Sequence, residues 1–159
     1  MFDVQYFPAD FDLLLIDVHS NELHHEISHM LNTMYLGDAE SDSVREASGI
    51  VWGPHNRIFL ATVVAMSGKI KHVHFMVDTG SPVTFICDEV LQSFGKTLSN
   101  PHNPFSVRIN GRPILVLQSP EDKHFKDINI LGTDYMKTFK CVLNVDFDAE
   151  TARLLANFE

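Results

Sequence analysis

Hydrophobic residues recur along this chain first at helical spacing and then, past residue 50, in alternation. Leu23, Ile27, Met30, Leu31 and Met34 return every three or four positions, which marks one face of a helix. Ser20 or Asn21 is placed to cap its start and Gly37 its end. Residues 37–49 are small and acidic and read as a linker. From Ile50 onward the pattern is β. Arg57 to Met66 is rich in branched side chains, Ser67-Gly68-Lys69 turns the chain, and Ile70 to Val77 returns. On the returning strand Val73, Phe75 and Val77 share one face, while His72, His74 and Met76 share the other.

Short elements follow. A strand around Thr84-Phe85-Ile86 leads to a helix from Asp88 to Phe94, closed by Gly95. Residues 96–104 carry Asn100, Pro101, Asn103 and Pro104 and form a loop. Phe105 to Ile109 and Ile114 to Gln118 flank Asn110-Gly111, a strong hairpin signal. The apolar strand from Ile128 to Leu131 stops at Gly132. A turn or two of helix from Thr133 to Phe139 precedes the last strands, around Cys141 to Val145 and the Arg153-Leu154-Leu155-Ala156 end. Trp52 and the twelve phenylalanines read as core.

Composition narrows the function classes. A length of 159 residues suits one domain with an appended segment. The formal net charge is -9 and there is no basic run, which argues against a nucleic-acid partner. Leu13-Leu14-Leu15-Ile16 is too short to span a bilayer and follows no basic n-region, so neither a membrane partner nor a signal peptide is expected. Cys87 and Cys141 sit among apolar residues and read as buried reduced thiols, with a disulfide as the alternative. They fit a reducing, intracellular (cytoplasmic) compartment.

The chemistry centres on Phe75-Met76-Val77-Asp78-Thr79-Gly80-Ser81, an apolar strand running into Asp-Thr-Gly. Burial raises the pKa of a carboxyl, and a second carboxylate beside it raises one of the pair further. Two carboxylates sharing one proton can activate a water and protonate a leaving amide, which hydrolyses a peptide bond with no metal or cofactor. The chain offers one such sequence, so the second carboxylate must come from elsewhere. A competing signal is His25-Glu26-Ile27-Ser28-His29, which matches the His-Glu-x-x-His pattern of zinc metallopeptidases. Leu23, Ile27, Leu31 and Met34 claim the apolar face, leaving His25 and His29 on the wetter side, so no metal site is expected there. His72 and His74 read as surface histidines.

Asp78-Thr79-Gly80-Ser81 is followed by Ile130-Leu131-Gly132, its glycine 54 residues after Asp78 (132 − 78). Asp134-Tyr135-Met136 and a strand containing Cys141 come next. Over residues 50–159 this arrangement resembles the retropepsin-like aspartic proteases of retroviruses, LTR retrotransposons and the cellular DNA-damage-inducible, ubiquitin-shuttle type. Residues 1–49 lie outside the resemblance, as an N-terminal helical leader and acidic linker. The resemblance implies a mainly β fold: a retropepsin-like closed β-barrel protomer with one short C-terminal helix and an added N-terminal helical segment, working as a homodimer. It implies that Asp78 is the catalytic carboxylate, supported by Thr79, Gly80 and Ser81. Thr79 would grip the partner copy's loop, Gly80 would offer its N–H to the carboxylate, and Ser81 would hydrogen-bond the outer carboxylate oxygen. Thr84 falls where the family places a structural threonine inside the crossed loop. Gly132, with Ile130 and Leu131, would let a second apolar strand pass close beneath that loop. Asp134 reads as a helix-start or packing carboxylate.

With one Asp-Thr-Gly per chain, the site needs two copies around a two-fold axis. The expected activity is an aspartic endopeptidase acting on polypeptides without a cofactor. The alternatives are a non-catalytic dimerisation or peptide-binding module and, behind it, a zinc metallopeptidase through His25 and His29. Two segments compete for the flap that covers such a site: residues 99–104 and the Asn110-Gly111 hairpin.

Overall fold

The computed structural model describes residues 10–157. These residues form β1 (Glu46–Trp52), β2 (Arg57–Met66), β3 (Lys69–Val77), β4 (Phe85–Ile86), β5 (Phe105–Ile109), β6 (Arg112–Gln118), β7 (Asn129–Leu131), β8 (Cys141–Asp146) and β9 (Thr151–Ala156). Helix α1 spans residues 20–31, α2 is Asp88–Ser93 and α3 is Thr133–Thr138. The strands lie in the order β3-β7-β4-β6-β5-β2, and β2 pairs back onto β3. That closes a six-strand barrel. β1, β9 and β8 continue outward from β2 as an open wing. The mainly β, closed-barrel expectation is the fold observed.

Turn chemistry sets the hairpins. β2 and β3 pair from Phe59↔Met76 to Met66↔Lys69. Their turn places Ser67 at φ 53° and Gly68 at φ 76°, the paired left-handed conformation that matches strand twist. Asn110 (φ 49°) and Gly111 (φ 79°) do the same between β5 and β6.

The leader departs from the sequence reading. Helix α1 winds as α over Ser20–Glu22, as π over Leu23–Ile27 and as α again over Ser28–Leu31. A π turn takes up extra residues, so the apolar spacing slips out of phase. Leu23 and Ile27 are fully buried, but Met30 is 41% and Met34 75% exposed. Ser28 turns inward instead, its hydroxyl donating to the Leu23 carbonyl at 2.6 Å. The helix ends at Asn32, left-handed at φ 53°, ahead of the Gly37 stop expected from the sequence; asparagine tolerates that conformation well.

Leu15, Val18, Leu23, Ile27 and Tyr35 belong to the same core cluster as the barrel residues Phe59, Phe75 and Ile130. Each buried aliphatic side chain contributes about 1.5–3 kcal/mol, so several such anchors hold the leader to the barrel. Downstream, Leu36 and Gly37 exchange backbone hydrogen bonds with His72, and Ala39 N–H reaches the Ile70 carbonyl.

His74 corrects another expectation. It is fully buried rather than at the surface, because α1 and the following turn cover that face of β3. Its Nε2 meets the Ser28 hydroxyl at 3.0 Å and the Thr33 carbonyl at 3.1 Å. Desolvation moves its pKa down to about 4, against the Thr33 hydrogen bond and with help from the nearby His72 and His24. Beside it Asn129 donates to the Tyr35 hydroxyl (2.7 Å) and the His74 carbonyl (3.0 Å) and accepts from Cys87 N–H. Cys87 and Cys141 are free thiols, the first buried. Burial pushes the Cys87 thiol up to about 11. Among the phenylalanines, Phe147 is 62% exposed rather than core; Phe2, Phe7 and Phe158 lie outside the described residues.

Candidate active site

Strand β3 ends at Val77 and delivers Asp78 to the rim of the barrel. β7 runs parallel to β3, with Met76 opposite Ile130 and Val77 opposite Leu131. The pairing continues one step further, since Asp78 N–H donates to the Leu131 carbonyl at 3.1 Å. Ile130 and Leu131 therefore fix where Asp78 emerges.

The turn after Asp78 is tight. Ser81 N–H donates to the Asp78 carbonyl at 3.1 Å, and Gly80 N–H donates to the Asp78 side-chain Oδ1 at 2.8 Å. A hydrogen bond from a backbone N–H favours and orients an ionised carboxylate. Asp78 is half-buried, and Thr79 and Gly80 stand exposed at the tip. Ser81 does not reach the carboxylate as expected. Its side chain is fully buried and donates to the Val83 carbonyl at 2.6 Å, since a hydroxyl taken out of water needs a partner close by.

Below this turn a second loop crosses the first. Gly132 lies so near it that an added Cβ would overlap the Val83 carbonyl oxygen and sit 2.8 Å from the Ser81 carbonyl oxygen. No larger residue fits without moving backbone. Thr133 N–H donates to the Ser81 carbonyl at 2.8 Å. Thr84 completes the brace: its hydroxyl donates to Asp134 Oδ1 at 2.7 Å and accepts from Gly132 N–H at 3.1 Å. Asp134 Oδ2 accepts Thr84 N–H at 3.1 Å, and Oδ1 also accepts Tyr135 N–H at 2.8 Å. Asp134 is thus a helix-start carboxylate bonded into the barrel. Desolvation raises its pKa, and these hydrogen bonds oppose the rise.

A cavity of about 340 Å³ opens beside Asp78. Met76, Val77, Ile58 and Arg57 line it from the barrel strands, His55 and Asn56 from the β1–β2 turn, and Leu13, Leu14 and Leu15 from the leader. Sequence reasoning missed these last three groups. The Leu13–Ile16 run was visible, but nothing in its spacing ties it to Asp78.

Neither flap candidate is a free overhanging hairpin. Asn110 is buried and clamped on β2 by its backbone N–H to the Val63 carbonyl and by Val63 N–H to its side-chain oxygen, each at 2.8 Å. Tyr135 Oη donates to Ile109, and Arg108 binds both the Gly111 carbonyl and Asp42. Residues 99–103 are an exposed, turn-rich connection between α2 and β5. His25, Glu26 and His29 are exposed on α1. Among the described residues, no three His, Cys, Asp or Glu side chains group as a metal site. Among them also, no helix is long and apolar enough to cross a membrane.

No family model matches the chain, and no curated protein matches it. It is similar to a crystal structure of a retropepsin-like aspartic protease from Rickettsia conorii, at 20% identity over 73% of this chain and 96% of that one, with a TM-score of 0.46.

Proposed function

We propose that the chain is an aspartic-type endopeptidase whose working unit is a pair of copies, each contributing Asp78. The observation that carries the reading is a half-exposed carboxylate on a cross-braced turn, oriented by Gly80 N–H and opening onto a cavity with both polar and apolar walls. A brace of this kind holds a reacting group in place without blocking it.

One Asp78 is ionised and takes a proton from the attacking water. The other is protonated and polarises the scissile carbonyl. Activity favours mildly acidic pH. Thr79, exposed at the tip of the turn, would grip the facing copy. Free thiols at Cys87 and Cys141 suit a reducing, cytoplasmic setting.

The test is Asp78→Asn in the full chain. Peptide cleavage is lost while the dimer mass and melting temperature stay unchanged; retained cleavage removes Asp78 from the chemistry. A second reading, a non-catalytic peptide-binding module of the same fold, draws on the clamped Asn110-Gly111 turn, since a site of this kind normally closes under a mobile cover. A well-folded dimer that cleaves nothing in a broad peptide library favours that module.

A further inference from the structure

We infer that residues 13–15 of the leader are a fixed wall of the Asp78 cleft, and that Leu14 selects the side chain a substrate presents beside the bond attacked. The inference rests on the reading of Asp78 as the catalytic carboxylate. The occupant is a polypeptide segment with an apolar side chain next to its scissile bond.

Position comes first. Leu13, Leu14 and Leu15 share one cavity with Asp78, Ile58, Met76 and Val77. Leu15 N–H donates to the Leu13 carbonyl at 2.8 Å, a three-residue turn that carries Leu14 at its apex. The two leucines on either side of that peptide bond behave oppositely. Leu15 is 3% exposed and part of the core, whereas Leu14 is 66% exposed. Leu14 therefore puts an exposed apolar side chain on the wall of the cavity that Asp78 also lines.

The wall is bolted down on both sides. Arg57 Nη2 and Nε bind the two oxygens of Asp17 at 2.8 and 3.2 Å, with both side chains largely shielded from water. This pair holds the Asp17 pKa low. Before the turn, Asp12 accepts from His124 N–H at 3.0 Å and contacts His124 Nδ1 at 2.7 Å. Leu13 N–H also donates to Asp12. A displaceable plug would sit on the carboxylate itself. Here Asp78 bonds to Gly80 N–H, and among the described residues the leader lines the cavity through Leu13, Leu14 and Leu15, so these flank the carboxylate rather than cover it. His55 and Asn56 of the β1–β2 turn and Arg57 at the start of β2 supply the polar part of the lining.

The experiment profiles cleavage of a broad peptide library by the full-length wild type, Leu14→Ala, Leu14→Arg and Asp78→Asn, with dimer mass and melting temperature recorded for each. Leu14→Arg lowers kcat/KM for peptides with an apolar residue at one position beside the cleaved bond by about tenfold or more, and shifts that position toward acidic residues. Leu14→Ala broadens it toward larger side chains. Mass and melting temperature do not move, because Leu14 is exposed. An unchanged profile in Leu14→Arg, with wild-type cleavage intact, overturns the wall and leaves Asp78 untouched. Loss of the dimer in Leu14→Arg also overturns it, by making Leu14 an interface residue. Absence of any Asp78-dependent cleavage overturns the catalytic reading and this inference with it.

Discussion

Asp78 sits on the turn after β3 and Asp134 in the first turn of α3, two segments bonded to each other, yet the protein treats the two carboxylates in opposite ways. Asp134 is bonded by the Thr84 hydroxyl, Thr84 N–H and Tyr135 N–H. Asp78 is held by Gly80 N–H and opens onto a cavity. Saturating one acid makes the scaffold rigid; sparing the other leaves oxygen atoms for chemistry. A carboxylate whose bonding capacity is spent on its own backbone cannot also activate a water.

Mutating the two acids tests this division most strongly. Asp78→Asn lowers kcat by about 1000-fold or more, the scale on which general acid–base groups act, and shifts unfolding free energy by less than about 0.5 kcal/mol. Asp134→Ala does the reverse. It strands buried donors and costs about 3 kcal/mol of stability in chemical denaturation, while activity falls only as far as folding does. Equal stability losses in both variants would erase the distinction.

Acid separates site from scaffold by another route. His74 titrates near 4 in the folded chain against an ordinary value of 6.5. Between those values the unfolded chain binds a proton that the folded chain refuses. Stability is therefore full above pH 6.5 and falls by about 3 kcal/mol as the pH drops to 4. Coulombic repulsion from His72 and His24 is the smaller part of that pKa depression, after desolvation. His74→Gln flattens that slope in denaturation curves measured at several pH values. A slope that survives the substitution assigns the acid sensitivity to the carboxylates instead. The smallest effect belongs to Thr84→Val, which deletes the hydroxyl between Asp134 and Gly132 but keeps the backbone bond. It costs about 1–2 kcal/mol, and Asp134→Ala together with Thr84→Val costs less than the sum because the two share one network.

Much of the barrel was legible because its signals are local. Branched runs around Ser67-Gly68 and Asn110-Gly111 fix both hairpins, since few residue pairs accept two left-handed turns in succession. Asp78 and Gly132 could be paired from the apolar strands that precede them. The misreadings are cases where a distant segment decides. His74 alternates as a surface residue would, and nothing within β3 announces that the leader covers it. Met30 and Met34 follow the helical spacing, but a π turn upstream rotates Met30 into solvent, and the helix ends at Asn32, before Met34. Ser81 could be placed on the turn but not aimed, because its partner is the carbonyl two residues later. The Leu13–Leu15 wall depends on the Arg57–Asp17 pair, 40 residues apart (57 − 17), a contact that no periodicity encodes.

The most direct test of an Asp78 pair is a mixing titration. Wild type and Asp78→Asn are allowed to exchange subunits in equal amounts, and peptide cleavage is measured against wild type at the same total concentration. If each site needs both carboxylates, random pairing leaves about one quarter of the activity. Half of the activity remaining would mean that each copy works with its own Asp78 alone, and the two-copy site would be wrong.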